Sequence, residues 1–130
     1  MTGGEVAKVL TRRHVLVVED QYLVAEEVRR VVMRLGGEVL GPVGAVEVAL
    51  DLMEERRPDL ALLDVNLHGA MVDPLARRLR DMGVPVIFAT GYSPGSLSPE
   101  FHDAPHLDKP ITPATLAAAL ARHYPELGAA

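Results

Sequence analysis

Five side chains able to do chemistry stand at the ends of four short runs. Glu19 and Asp20 follow "HVLVV", Asp64 closes "DLALLD", Thr90 closes "PVIFAT", and Lys109 follows "PHLD" with Pro110 behind it. If these runs are neighbouring parallel strands, ligands bind just outside their carboxyl ends, where the strand order reverses. Three carboxylates, a hydroxyl and an ammonium then converge on one edge. Crowded carboxylates repel, and at neutral pH one takes up a proton unless a cation is present. An all-oxygen set in an open site suits Mg²⁺, which keeps several waters and accepts one or two carboxylates plus a phosphate oxygen. The backbone carbonyl of Asn66, two residues past Asp64, is a candidate further ligand. A metal beside a carboxylate, a lysine and a hydroxyl fits phosphoryl transfer to an aspartate, which would attack in line to give an acyl phosphate. Only two of the 13 basic residues are Lys. The ammonium at 109 therefore suggests a compact point charge rather than a guanidinium fork.

The elements that must position these groups alternate short β-branched runs with helical periodicities, the pattern of a parallel sheet wrapped by helices. Strands are expected at 14–18, 37–41, 59–64, 85–90 and 105–108. The first, third and fourth are apolar throughout, as central strands covered on both faces are. A first helix over 21–35 aligns Val24, Val28, Val31 and Leu35, with Glu26 facing Arg29 and Arg30, and Gly36-Gly37 stops it. A second repeats Val46, Ala49, Leu50 and Met53 ahead of Pro58. A third opens with Asp73 as cap and Pro74 at its first position, burying Leu75, Leu79 and Met82. The last opens with Thr112 and Pro113 and runs to Pro125. Between strands four and five, residues 91–104 carry Pro94, Gly95 and Pro99, so the fourth crossover helix is short or irregular, with one turn expected near 98–102 capped by Ser98. This link is expected to be mobile without phosphate and Mg²⁺. Residues 1–12 and 125–130 read as tails around one domain at 13–124.

The 130 residues, 48% hydrophobic, fit one compact domain. There is no cysteine, which removes disulfides and thiolate chemistry. No apolar run reaches the roughly 18 residues of a membrane span, and the N-terminus lacks the apolar middle of a secretion signal, so a cytoplasmic protein is expected. Net charge is -5 and aromatic content 4%, arguing against a nucleic-acid surface. His14, His102 and His123 read as structural or solvated, no histidine pair has zinc spacing, and Arg77, Arg78 and Arg80 read as a solvated helix face.

Over residues 13–124 the sequence resembles the receiver domain of two-component response regulators. The resemblance implies a doubly wound, flavodoxin-like sheet of order 2-1-3-4-5. It implies Mg²⁺ held by Glu19, Asp20, Asp64 and the Asn66 carbonyl, and Asp64 as acceptor of phosphate from a histidine kinase. Thr90 corresponds to the switch hydroxyl and Lys109-Pro110 to the lysine before a proline, commonly joined by a cis bond. "DVNLHGAMV" and "PVIFATGY", with Phe88-Ala89-Thr90-Gly91-Tyr92, look like the FAT-GUY subgroup, mostly stand-alone receivers often paired with HWE-type kinases and similar in lacking a regular fourth helix. Two positions depart from the pattern. His106 stands where an inward-turning Tyr or Phe is usual, so a titratable ring or Tyr92 is the candidate for that role. His68 stands where a proline commonly follows the acceptor.

Taken singly, each site residue has an ordinary explanation: Asp20 as a helix cap, Asp64 and Thr90-Gly91 as turn residues, Lys109-Pro110 as surface punctuation. The conjunction at four strand ends favours a phosphorylatable regulator acting through a protein partner, or relaying or draining phosphate. Such a protein catalyses only its own phosphorylation and dephosphorylation. The rival is an unphosphorylated interaction module of the same fold. A hydrolase would want an acid where Asn66 stands, and a flavin domain would want a Ser/Thr/Gly-rich loop where "EDQYLV" stands.

Overall fold

The computed structural model describes residues 7–67, 70–91 and 97–128. In chain order these form β1 (His14–Val18), α1 (Tyr22–Arg34), β2 (Glu38–Val43), α2 (Val46–Glu55), β3 (Leu60–Asp64), the two-residue strands β4 (Asn66–Leu67) and β5 (Ala70–Met71), α3 (Asp73–Asp81), β6 (Val86–Thr90), a 3₁₀ turn (Pro99–Phe101), β7 (His106–Asp108), α4 (Pro113–His123) and α5 (Pro125–Gly128). The main sheet is parallel, in the order β2-β1-β3-β6-β7. Counting its five strands alone, this is the expected 2-1-3-4-5.

Period-two alternation explains why the central runs are apolar throughout. Val15, Val17, Leu60, Leu62, Ile87 and Ala89 pack on one face with residues of α1 and α4, while Leu16, Val18, Ala61, Leu63 and Phe88 pack on the other with residues of α2 and α3. The strand order changes direction between β1 and β3, whose carboxyl ends lie side by side. No helix among the described residues is long and apolar enough to cross a membrane.

Several local expectations shift. The second strand runs past position 41, through a cis Gly41–Pro42 bond, to Val43, and its register with β1 slips between Leu16 and Val18. Gly41 has φ +98°, and a Cβ there would sit 2.8 Å from the Val43 nitrogen, so only glycine fits comfortably. Asp59, expected as a strand residue, lies just before β3; its N–H donates to His14 O at 2.8 Å and its side chain accepts the His14 N–H at 2.7 Å. Of the two readings of His14, structural or solvated, the structure gives the first, since its Nε2 lies 2.6 Å from Glu38. The short β4–β5 ribbon was not foreseen, and His68 lies outside the described residues.

Asp73 does not cap α3. The helix begins at Asp73 itself, after Val72, and no side chain caps it. The Asp73 carboxylate, 3% exposed, reaches across to the irregular link, where Oδ2 accepts the Ser98 N–H at 2.9 Å and the Ser98 hydroxyl. Ser98 therefore precedes the 3₁₀ turn without capping it by its side chain. Arg77 donates to Ser98 Oγ and to Glu100, Arg80 pairs with Glu100, and the Arg80 guanidinium lies over Phe101, 5.4 Å from the ring centre. Phe101 is buried against Phe88. Ion pairs thus engage the arginine cluster that read as a solvated face, Arg78 with Glu54 included. The turn that replaces a fourth crossover helix is pinned to α3.

Both expected tails are in part packed. Leu10 is fully buried and its N–H donates to Leu35 O, while Arg13 donates to the carbonyls of Glu126 and Leu127 at 3.1 Å. Leu127 joins the α1–α4 core.

Candidate functional site

Parallel pairing of β1 with β3 and of β3 with β6 sets the first three strand ends in a row. Glu19 extends β1 by one residue, its N–H donating to Val43 O at 2.9 Å, and Asp64 ends β3. Both are 5% exposed. Glu19, Asp20 and Asp64 each offer an oxygen within 4.8 Å of the others. Backbone N–H groups hold two of them in place: Gln21 donates to Glu19 Oε2 and Asn66 to Asp64 Oδ1, both at 3.1 Å.

Lys109 arrives from the far side of the sheet edge. Its N–H donates to Thr90 O at 2.8 Å, which carries the β6–β7 ladder one residue past β7. The ammonium lies 2.6 Å from Glu19 Oε1 and 3.3 Å from Asp64 Oδ1. The Lys109–Pro110 bond is cis. Thr90, 5% exposed, ends β6 and donates its hydroxyl to Asp108 Oδ1 at 3.4 Å.

The electrostatics show a shortage of positive charge. Burial raises the Glu19 pKa above the ordinary value, with the charge of Asp64 pushing the same way, and the bonds from Lys109 and Gln21 only partly offset this. Burial disfavours the Lys109 ammonium, yet its bond to Glu19 and the charges of Asp64 and Glu19 outweigh burial and raise its pKa. One ammonium thus serves two buried carboxylates, with Asp20 beside them. Such an oxygen donor set, short of cationic charge, fits Mg²⁺. Beside it opens a cavity of about 740 Å³, floored by Asp64, Asn66 and Lys109 and walled by Val24, Val28 and Ile111.

The structure thus brings Glu19, Asp20, Asp64, Lys109 and the backbone of Asn66 together, with Thr90 bonded to the residue before Lys109. Tyr92 lies outside the described residues. His106 sits against Phe88, ring centres 5.6 Å apart, and its Nε2 is buried with no hydrogen-bond partner among the described residues. Two contacts are not visible in the sequence: that of Asp108 with Thr90, which follows from β6–β7 register, and that of Ser98, expected as a cap, with Asp73.

Residues 15–121 match the family model of the response regulator receiver domain. Among curated proteins, the chain is 35% identical over 101 residues to the sensory transduction protein LytT of Bacillus subtilis, covering 75% of this chain and 42% of LytT. It is 31% identical over 112 residues to the phyllosphere-induced regulator PhyR of Methylorubrum extorquens, covering 83% of this chain and 42% of PhyR. The chain thus spans less than half the length of these two relatives. Among solved structures, SdrG from Sphingomonas melonis Fr1 superposes with a TM-score of 0.76 at 38% identity, over 87% of this chain and 95% of SdrG.

Proposed function

Because the chain belongs to the response regulator receiver family of two-component signalling, we propose that it is a phosphorylatable switch whose acceptor is Asp64. Receiver domains are regulatory and pair with histidine kinases or phosphotransfer proteins. In this reading a partner's phosphohistidine enters the cavity, the phosphorus–nitrogen bond breaks, and an Asp64 oxygen forms the new bond to phosphorus. The imidazole leaves with the electron pair and takes up a proton. Glu19, Asp20, Asp64 and the Asn66 carbonyl are the residues that would hold Mg²⁺. When bound, the metal supplies positive charge for the transferring oxygens. Lys109 turns from Glu19 toward the phosphoryl oxygens, and the Thr90 hydroxyl donates to one of them. The output is a changed protein-binding surface, for which His106, Tyr92 and Pro110 are the switch candidates.

The observation that carries this reading is the closeness of three carboxylates to one another, with one ammonium shared by two of them, Glu19 and Asp64. A module that had given up phosphorylation would have no need to keep all four groups, since two of them, Glu19 and Asp64, bury charge at some cost. The test is time-resolved transfer from a panel of autophosphorylated histidine kinases, HWE-type kinases included, to the wild-type chain and to Asp64→Asn. Label moving to wild type only, and from a restricted set of kinases, supports the switch. Absence of transfer from every kinase would favour the unphosphorylated interaction module. Fast loading with rapid loss and no downstream acceptor would identify a phosphate drain.

A further inference from the structure

Thr90 and Asp108 are register partners on adjacent parallel strands, as are Phe88 and His106 two residues earlier. Their side chains leave the sheet on the same face, side by side. The column ends at the acidic edge with the Thr90 hydroxyl donating to Asp108 Oδ1. Backbone bonds fix both ends of this short strand pair: Phe88 N–H donates to Pro105 O at 2.9 Å and Lys109 N–H to Thr90 O at 2.8 Å. Register therefore holds the Asp108 backbone beside Thr90, within reach of its hydroxyl. Thr90 is buried and Asp108 exposed. Water can solvate the carboxylate once the hydroxyl departs, so surrendering the bond leaves no buried charge behind.

A threonine hydroxyl has one proton to donate. While that proton is given to Asp108 it is not available to a phosphoryl oxygen. We propose that Asp108 is a positioning residue that occupies the Thr90 hydroxyl in the unphosphorylated protein, so that a phosphoryl group on Asp64 has to draw the hydroxyl off Asp108 before Thr90 can engage it. This rests on the reading of Asp64 as phosphoacceptor. At 3.4 Å the bond is longer than the usual range of about 2.5–3.0 Å for hydroxyl donors, which makes it a bias rather than a block. Asp108 sets how much of the phosphoryl affinity is spent on moving Thr90.

The test is calorimetric titration of the full chain with beryllofluoride, a phosphoryl analogue, in the presence of Mg²⁺. Asp108→Ala removes both the acceptor and the charge, while Asp108→Asn removes the charge and keeps an acceptor oxygen. Each is compared in the Thr90 and in the Thr90→Ala background. Asp108→Ala is expected to tighten binding about threefold when Thr90 is present. Asp108→Asn should tighten it less, and neither should change it when Thr90 is absent. Unchanged or weaker binding by Asp108→Ala overturns the proposal. So does equal tightening in both backgrounds, which would assign the effect to the Asp108 charge alone. If the wild-type chain and every variant fail to bind beryllofluoride, the phosphoacceptor reading falls and this inference with it.

Discussion

Lys109 lies closer to Glu19, at 2.6 Å, than to Asp64, at 3.3 Å. The ammonium is therefore bonded first to a residue that the proposed function needs as a metal ligand.

Removing that ammonium leaves two buried carboxylates facing each other with Asp20 alongside. Breaking a fully buried pair costs about 3–5 kcal/mol, and the partial exposure of Lys109 lowers the expectation to about 2 kcal/mol for Lys109→Met without divalent cations. Mg²⁺ should restore more stability to the variant than it adds to the wild type, because metal and ammonium compensate the same charges. Denaturant unfolding of both proteins with and without Mg²⁺ checks this. Equal Mg²⁺ stabilisation of the two would contradict a shared site.

Tyr124 ties the end of α4 to the start of β6, its hydroxyl donating to Val86 O at 2.9 Å and accepting the Val86 N–H at 3.4 Å. Burial raises the Tyr124 pKa above the ordinary value of 10.0. A phenol with a raised folded-state pKa binds its proton more tightly folded than unfolded. Its contribution is complete below pH 10.0 and is lost as pH climbs through the folded-state value. Tyr124→Phe should cost about 1 kcal/mol at pH 7, and this deficit should shrink as pH rises above 10. Lys109 is common to both proteins, so its own alkaline titration cancels in the difference. A deficit that stays constant to pH 11 would contradict the assignment.

The sheet edge was legible in the sequence because apolar runs of five or six residues end at Glu19, Asp64 and Thr90, a shorter run, "PHLD", ends at Lys109, and strand ends in a parallel sheet are neighbours by construction. What was misread depended on contacts distant in sequence. Asp73-Pro74 has the local form of a helix start, yet the carboxylate is claimed by Ser98, 25 residues away. Leu10 and Leu127 each lie outside any periodic run, and only their meeting with the α1–α4 core makes them internal. Asp108 reads as a polar strand end until β6–β7 register sets it beside Thr90.

The Asp73–Ser98 contact is one hydrogen-bonded anchor of the link that replaces a fourth crossover helix. Ser98→Ala keeps the backbone bond to Asp73 and loses the hydroxyl bond and the contact with Arg77. A loss of about 1 kcal/mol is expected, with faster amide exchange at Phe101, His102 and Ala104, while Leu62 and Leu63 in the central strand keep their protection relative to global unfolding. Unchanged exchange in the link would show that the Ser98 hydroxyl contributes nothing to holding it.

Asp64 as a Mg²⁺-dependent phosphoacceptor is tested most directly by intact mass. The chain is incubated with acetyl phosphate and, separately, phosphoramidate, with Mg²⁺ and with chelator, beside Asp64→Asn. The expected result is one phosphate adduct that requires both Mg²⁺ and Asp64. An adduct that persists in Asp64→Asn or in chelator, or an unmodified mass with both donors, would contradict it.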